Sequence, residues 1–271
     1  MNPSVDQATR FFAMFAQANV GVWPMQVVWY VAALGAIGLA INPIRHSSRL
    51  ISVFLAAYYV WLGIAFFAIY YSAIDDGARV AGALFVVGGL LFLVAGVVRQ
   101  NLRFQARWDA LGALGGGIML YALVAYPVVG VLTGHVFPAA PVFGLAPCPS
   151  TIFTAGLLLW TRPRLPLYVL LVPQIWLMAQ TPAAALALGV AGDVARPFVG
   201  VLTTGLLVWR DYAGVRERLF GAVLLALAVV LLGHVEPLII GAALFLLVTF
   251  TPLFEPVTRW LHAGARAGAS P

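Results

Sequence analysis

The polar and reactive side chains that could do chemistry are few, and they lie beside or within apolar stretches. Five are candidates for a substrate or pore site: His135, Cys148, Thr151, Gln174 and Asp193. Cys148 lies between two prolines, and thiolates bind soft metal ions in this kind of setting. The alternatives are that Cys148 is a small buried hydrophobic residue, that Thr151 bonds its own helix backbone, and that Asp193 caps the next helix.

Two histidines follow a glycine and precede a proline, at positions 134–138 and 233–237. At equal depth, His135 and His234 could ligate a metal or a haem, with Cys148 as a further metal candidate. The alternative is that glycine and proline simply end two helices here. The sequence has no HExxH motif, no clustered histidines and no paired carboxylates within a span, so we predict no cofactor and favour a protein that is not an enzyme.

The composition indicates hydrocarbon as the solvent. Of the 271 residues, 63% are hydrophobic and 9% are charged, whereas soluble domains carry about 25% charged residues. All 15 basic residues are arginines, spread singly between apolar runs, which is typical of topology determinants rather than of a nucleic-acid surface. We therefore expect the protein to lie in a lipid bilayer and not to bind nucleic acid. The exclusive use of arginine implies GC-rich codons, from which we expect a bacterial inner membrane.

The hydrophobic pattern predicts an all-α, polytopic transmembrane helix bundle with about nine spans. Each span needs about 20 apolar residues, and the candidates are 24–42, 50–72, 80–98, 109–133, 147–161, 165–181, 194–209, 219–234 and 237–258. Twelve arginines fall in alternate connections and in the C-terminal tail. The positive-inside rule then predicts an N-terminus outside and a cytoplasmic C-terminus. Trp23, Trp160 and Trp209 are expected in the interfacial aromatic belts.

Three regions follow from this pattern. Residues 1–22 are predicted to form an interfacial amphipathic helix, acting as a gate or as a simple collar before the first span. Residues 23–210 form a seven-span membrane domain, and residues 211–271 form a two-span extension with a cytoplasmic tail. The apolar, proline-rich loop at 134–149 is either re-entrant or an ordinary surface loop.

Polar and small residues within the spans predict how the helices pack. Gln26, Gln174 and Gln180 are expected to face the bundle interior. Glycines, among them Gly112 and Gly116 at GxxxG spacing, predict close helix contacts, and Gly-rich faces leave a homo-oligomer open.

Three motifs carry a resemblance to a known family. They are Trp23-Pro24, the arginine-rich turn from Arg45 to Arg49, and the Gly-His segment at 134–138 leading to PCPSTIFT at 147–154. Together they resemble an uncharacterised group of bacterial multi-pass membrane proteins, a domain of unknown function, over about residues 8–210. The resemblance implies the seven-span fold with the last two spans as an extension, and it supplies no mechanism.

Three functions are compatible with the sequence. The favoured one is a small-solute or ion permease, entered from outside past His135, Cys148 and Asp193, because the outer loop is proline-rich and little chain remains for a soluble domain. The second is an accessory or scaffold membrane protein without transport activity. The third is a membrane-embedded metal-binding or redox component that uses the histidines.

Overall fold

The computed structural model describes residues 3–180 and 182–212, and these residues are mostly helical. The α-helices are α1 (Pro3–Gly21), α2 (Met25–Ile41), α3 (Ser47–Trp61), α4 (Ala78–Leu93), α5 (Ala110–Leu120), α6 (Tyr126–Leu132), α7 (Pro147–Leu158), α8 (Leu171–Leu177), α9 (Pro182–Leu188) and α10 (Arg196–Asp211). π-Helical segments at Leu62–Tyr70, Val94–Val98 and Tyr121–Ala125 and 3₁₀ segments at Tyr71–Ala73, Leu167–Leu170 and Ala191–Ala195 extend or join them. The all-α prediction is confirmed, apart from one short antiparallel pairing of strands β1 (Arg103–Phe104) and β2 (Thr161–Arg162).

Four helical stretches of the described chain are long and apolar enough to cross a membrane. They are Ser47–Ala73, Ala78–Val98, Ala110–Leu132 and Ala191–Asp211. Two further pairs reach that length only together: Gln7–Gly21 with Met25–Ile41, bent by 81°, and Leu167–Leu177 with Pro182–Leu188, bent by 51°. The described residues thus contain four such helices, or six if each bent pair is one span. The predicted spans at 219–234 and 237–258 lie outside these residues.

The long helices alternate in direction and leave two chemically different ends. We call one the basic end, because it gathers eight of the described arginines: Arg45, Arg49, Arg99, Arg103, Arg107, Arg162, Arg164 and Arg210. The opposite end, the cavity end, has Arg10, Arg79 and Arg196. Most of the described arginines therefore lie at the end of the bundle that is opposite the cavity.

Helix α7 lies at the centre of the bundle and is enclosed on all sides. Pro147 and every residue from Pro149 to Leu158 are buried. Its hydroxyls bond its own backbone, since Ser150 Oγ donates to the Ala146 carbonyl at 2.6 Å and Thr154 Oγ1 to the Ser150 carbonyl at 2.9 Å. With 12 residues, it is about 18 Å long, against about 30 Å of hydrocarbon. The predicted span at 147–161 is therefore an enclosed helix that is too short to cross a membrane by itself.

Paired glycines bring neighbouring helices into close backbone contact. A Cβ on Gly115 of α5 would lie 2.7 Å from the carbonyl oxygen of Gly156 in α7, and the reverse distance is also 2.7 Å. Gly63 and Gly82 make the same reciprocal approach between the α3 extension and α4, at 2.6 and 2.7 Å. Small residues allow this approach, which is how helices associate where lipid offers no hydrophobic driving force between them.

The glycine contact differs in register from the predicted GxxxG pair. A Cβ on Gly112 would overlap the Arg107 carbonyl oxygen, at 1.9 Å, in the turn that precedes α5. A Cβ on Gly116 would make only ordinary contact with Trp160, at 3.6 Å. The prediction of close helix packing is thus correct for α5, but Gly115 makes the contact.

The second half of the proline-rich loop folds into the bundle. Phe143 is fully buried, and Gly144 has a φ of +96°, which favours glycine. The Gly144 N–H donates to the Tyr58 hydroxyl at 2.8 Å, and its carbonyl accepts from Trp61 Nε1 at 2.8 Å. Irregular backbone at membrane depth requires such protein partners. These contacts favour a loop that dips into the bundle over a surface loop.

One tryptophan departs from the aromatic-belt prediction. Trp160 is buried, and its Nε1 donates to the Gly112 carbonyl at 2.9 Å. Trp23 and Trp209 are exposed, as expected for belt residues, and Trp108 at the basic end is 90% exposed. The Trp160 prediction was wrong because its indole fills the space that Gly112 and Gly115 leave beside α7.

Replacing Gly115 by alanine should destabilise the fold, whereas Gly117→Ala should not. The new methyl group at Gly115 would overlap the Gly156 carbonyl, and overpacking of this kind costs about 1–3 kcal/mol. Around Gly117 nothing lies within 4 Å of an added Cβ. Alanine improves helix propensity by about 1 kcal/mol at both sites. A difference in stability between the two variants therefore measures the contact of Gly115 with Gly156. Thermal unfolding in detergent, followed by circular dichroism, should show a lower midpoint for Gly115→Ala; equal midpoints would contradict the contact.

Candidate functional site

A cavity of about 240 Å³ lies at the cavity end, between α1 and the first turns of α7 and α10. Much of its wall is aromatic: Phe11, Phe15, Phe66, Tyr71 and Trp176. The polar lining consists of Gln7, Tyr126, Cys148, Gln180, Asp193 and Arg196. Phe66 belongs to the π-helical segment after α3, and such segments are frequent at functional sites. The cavity thus combines an apolar wall with a compact polar cluster.

A buried ion pair forms the centre of the polar cluster. Arg196 Nη1 lies 3.4 Å from Asp193 Oδ2, and each side chain is only 3% exposed. The Tyr126 hydroxyl donates to the other Asp193 oxygen at 2.6 Å. Removing two charges from water costs several kcal/mol per ion, which attraction and further hydrogen bonds must offset. Each carboxylate oxygen therefore has its own donor.

The Arg196 guanidinium is held by groups from α8 and the segment after it. Nη1 donates to Gln180 Oε1 at 2.7 Å, and Nη2 donates to the Trp176 carbonyl. The Trp176 ring centroid lies 5.2 Å from Arg196 Cζ, within cation–π range. Arg196 Nε is buried and has no hydrogen-bond partner among the described residues. One donor of the guanidinium is thus left over inside the protein.

Helix α1 covers the cavity through aromatic contacts. Phe15 packs against Phe66 at 5.4 Å between ring centroids, and Phe11 meets Tyr71 edge-on at 6.5 Å. The C-terminal part of α1 is held differently, by Asn19 Nδ2, which donates to the carbonyls of Pro138 and Ala140 at 2.7 and 2.9 Å. The half of α1 over the cavity therefore makes ring contacts, and Asn19 hydrogen-bonds its other half to the loop.

Of the five site residues predicted from the sequence, the structure brings two together. Cys148 and Asp193 both line the cavity. Thr151 is buried and bonds the Pro147 carbonyl of its own helix at 2.9 Å, which is the alternative that the sequence left open. Gln174 is buried as expected, but it accepts a hydrogen bond from Thr204 between α8 and α10, outside the cavity lining.

The fifth residue, His135, lies beside the cavity rather than in it. Its imidazole stacks on Phe12 with 4.0 Å between ring centroids. The crevice around it holds about 10 Å³, close to the volume that one water needs. His234 lies outside the described residues. Within residues 3–180 and 182–212, no three His, Cys, Asp or Glu side chains are grouped as a metal site.

The alternative interpretation of Asp193, that it caps the next helix, is wrong. The residue before α10 is Ala195, and no side chain caps that helix. Asp193 instead lies in the preceding 3₁₀ segment and pairs with Arg196. The i,i+3 spacing of two opposite charges in an apolar region was the signal that could have revealed the pair. Tyr126 and Trp176 had no comparable signal, because distant segments bring them in.

The fold and cavity define a class: a helical bundle that has helices of membrane length and a pocket lined by a buried ion pair. The model of a family described as "Family of unknown function (DUF6064)" matches residues 8–218. This match covers most of the chain, which therefore belongs to that family, and the resemblance to an uncharacterised family is confirmed. No curated protein and no solved structure matches the chain.

Replacing Asp193 by asparagine should destabilise the protein strongly. The substitution leaves the Arg196 guanidinium buried without its counter-charge, and breaking a buried pair in this way costs about 3–5 kcal/mol. The double variant Asp193→Asn/Arg196→Gln removes both charges and should recover part of that loss. Thermal unfolding of the three proteins in the same detergent measures the effect, and a single variant as stable as the wild type would contradict the ion pair.

Asp109→Asn is the matched control. Asp109 also pairs with an arginine, Arg107, but it is solvent-exposed and caps α5 by accepting from the Gly112 N–H at 2.9 Å. The Arg107 hydrogen bond, with help from Gly112, lowers the pKa of Asp109 to about 2. Asparagine caps a helix as well as aspartate does, and an exposed ion pair contributes little to stability, so at neutral pH this variant should lose far less stability than Asp193→Asn.

Proposed function

We propose that the chain is an integral membrane protein that transports a small solute through the bundle, with the α1-covered cavity as its binding site. The observation that carries the proposal is the polar cluster of Asp193, Arg196 and Tyr126, which is buried at the wall of the cavity. Polar and ionisable groups at membrane depth are costly and mark substrate pathways by default. The aromatic wall supplies the apolar lining that small-molecule sites share.

The size and charge of the cavity narrow the solute class. About 240 Å³ is below the 300–1,000 Å³ that is typical of drug-sized ligands. The lining carries one carboxylate and one guanidinium, so its formal charge is zero. A desolvated ion entering such a site would find no net counter-charge. We therefore favour a small neutral or zwitterionic solute over a free metal ion or inorganic anion.

A route to the cavity lies along α1. A neighbouring space of about 180 Å³ shares Gln7, Phe11, Tyr71 and Leu188 with the cavity and is also lined by Asp75, which is exposed. These four side chains border both spaces. In the proposal, displacement of the Phe11 and Phe15 rings connects them, so that α1 acts as a gate rather than as a collar.

Filling the cavity should abolish transport. Ala179 and Ala187 are both exposed, but Ala179 lines the cavity and Ala187, on the nearby α9, does not. Purified wild type, Ala179→Phe and Ala187→Phe would be reconstituted into liposomes and tested for uptake of labelled glycine, alanine, betaine and glycerol. We expect uptake of at least one probe by the wild type and by Ala187→Phe, and none by Ala179→Phe.

Two results would contradict the proposal. One is absence of flux for all four probes while the protein is folded and inserted, which would favour an accessory or scaffold role. The other is equal uptake by Ala179→Phe and Ala187→Phe, which would place any transport route outside this cavity.

The placement in the membrane is part of the proposal. We propose a multi-pass arrangement in a bacterial inner membrane, with the N-terminus and the cavity end outside and the basic end and C-terminus in the cytoplasm. The support is the positive-inside rule, since the basic end has eight of the described arginines and the cavity end three. Solute would then enter the cavity from outside.

Cysteine labelling in cells should reveal this orientation. Cys148→Ser removes the only cysteine, after which Val136→Cys or Trp108→Cys would report the cavity end or the basic end, since both positions are exposed. An impermeant maleimide should label Val136→Cys in intact cells and Trp108→Cys only after permeabilisation. The opposite pattern, or labelling of both in intact cells, would overturn the orientation without touching the argument about the cavity itself.

A further inference from the structure

A second pocket, of about 410 Å³, lies at the basic end, on the opposite side of the bundle from the cavity. It is lined by Arg45, Arg49 and Arg103, together with His46, Ser48 and Gln100. Its lining contains no acidic residue. Three guanidinium groups around one opening form a site of concentrated positive charge, and this arrangement suits a phosphate group, which accepts paired hydrogen bonds from arginine.

These three arginines differ from others at the same end. Arg107 pairs with Asp109, and Arg210 pairs with Asp211. In the part of the chain that the structure describes, Arg45, Arg49 and Arg103 have no carboxylate partner, and all three are exposed. Their positive charges therefore remain available to an anion, whereas those of Arg107 and Arg210 are already compensated.

The N-terminus of α3 adds to the positive potential. His46 precedes this helix, and no side chain caps it. The first N–H groups of a helix carry about half a positive charge and favour anions. Arg49 belongs to the first turn of α3, so the helix end and the guanidinium lie on the same wall of the pocket.

Specific packing and hydrogen bonds build the pocket walls. The Phe104 N–H donates to Ser48 Oγ at 3.0 Å, and this hydrogen bond connects β1, which contains Arg103, to α3. A Cβ on Gly96 would lie 1.8 Å from Ser52 Oγ, so α3 and the end of the α4 extension touch here. Gln100 has a φ of +52°, a conformation that costs free energy in a residue other than glycine. The chain from 96 to 104 is thus held in a defined shape beside α3.

Exposed apolar side chains are close in sequence to the residues that line the pocket. Ile44, Leu50 and Val98 are all exposed, and each lies one or two residues from a pocket residue. A free phosphate ion gains nothing from apolar side chains nearby, whereas a phospholipid has acyl chains that can contact them as well as a phosphate group. Basic pockets between helices at a membrane surface bind anionic headgroups in this way.

We propose that the pocket formed by Arg45, Arg49 and Arg103 binds the phosphate headgroup of an anionic phospholipid. The guanidinium groups and the α3 N-terminus contact the phosphate, and the acyl chains lie along the apolar side chains beside it. This site is independent of the cavity, and it requires only that the basic end meets a bilayer surface.

Native mass spectrometry of the full chain in detergent tests the site, with phosphatidylglycerol and phosphatidylcholine as probes. We expect phosphatidylglycerol to bind more tightly, and Arg49→Gln and Arg103→Gln each to weaken its binding about fivefold. Arg79→Gln is the matched control, because it also removes one exposed arginine charge but lies at the cavity end. It should bind the lipid like the wild type. Circular dichroism verifies folding, and Arg45→Gln replaces any variant that fails to fold.

The same variants and inorganic phosphate provide the contrary outcomes. Equal lipid affinity of Arg49→Gln, Arg103→Gln and Arg79→Gln would overturn the proposal, since loss of one charge anywhere would then be equivalent. Equal binding of phosphatidylglycerol and phosphatidylcholine would also overturn it. If inorganic phosphate at equal concentration displaces the lipid completely, the ligand is a free phosphate and the lipid assignment is wrong.

Discussion

The enclosure of α7 is the constraint on which the rest of the structure depends. A helix surrounded by apolar neighbours cannot exchange backbone or hydroxyl hydrogen bonds with water, so its polar groups must be satisfied locally. Ser150 and Thr154 do this by bonding the helix itself. Gly156 then lets α5 approach to backbone contact. Because α7 is also too short to cross a bilayer alone, other chain must complete the bundle at its two ends.

At the N-terminal end of α7, the proline-rich loop and α1 complete the bundle, and this is why the cavity forms there. The loop reaches inward as far as Gly144, where Tyr58 and Trp61 satisfy its backbone. Helix α1 lies over the remaining space at 81° to α2. Aromatic rings fill the region between α1 and the helical segments that follow α3. The close packing of glycine pairs therefore gives way to a looser aromatic layer at the cavity end.

The sequence predicted the features that depend on local pattern. The long apolar stretches predicted a helical protein, and the alternating arginines predicted its two different ends. The prediction that Gln26 and Gln174 are buried in the bundle was also correct. Features that depend on contacts between distant segments could not be read from it. Gly115 contacts Gly156 because of how two helices cross, and no spacing rule distinguishes it from Gly116. The contact of Asp193 with Tyr126 is of the same kind, since Tyr126 comes from another helix.

The ion pair at the cavity is difficult to explain by stability alone. Replacing a buried pair by well-packed apolar side chains is often neutral or stabilising, by about 1–4 kcal/mol. A bundle that needed only rigidity at this point would be served as well by leucine and phenylalanine. The pair also keeps one guanidinium N–H without a partner in the described structure, which an apolar replacement would avoid. A group that needs both charges, such as a zwitterion, would supply that N–H with an acceptor and Asp193 with a further donor. Under the proposed transport function, the cost of burying the pair would be part of how the cavity recognises a solute.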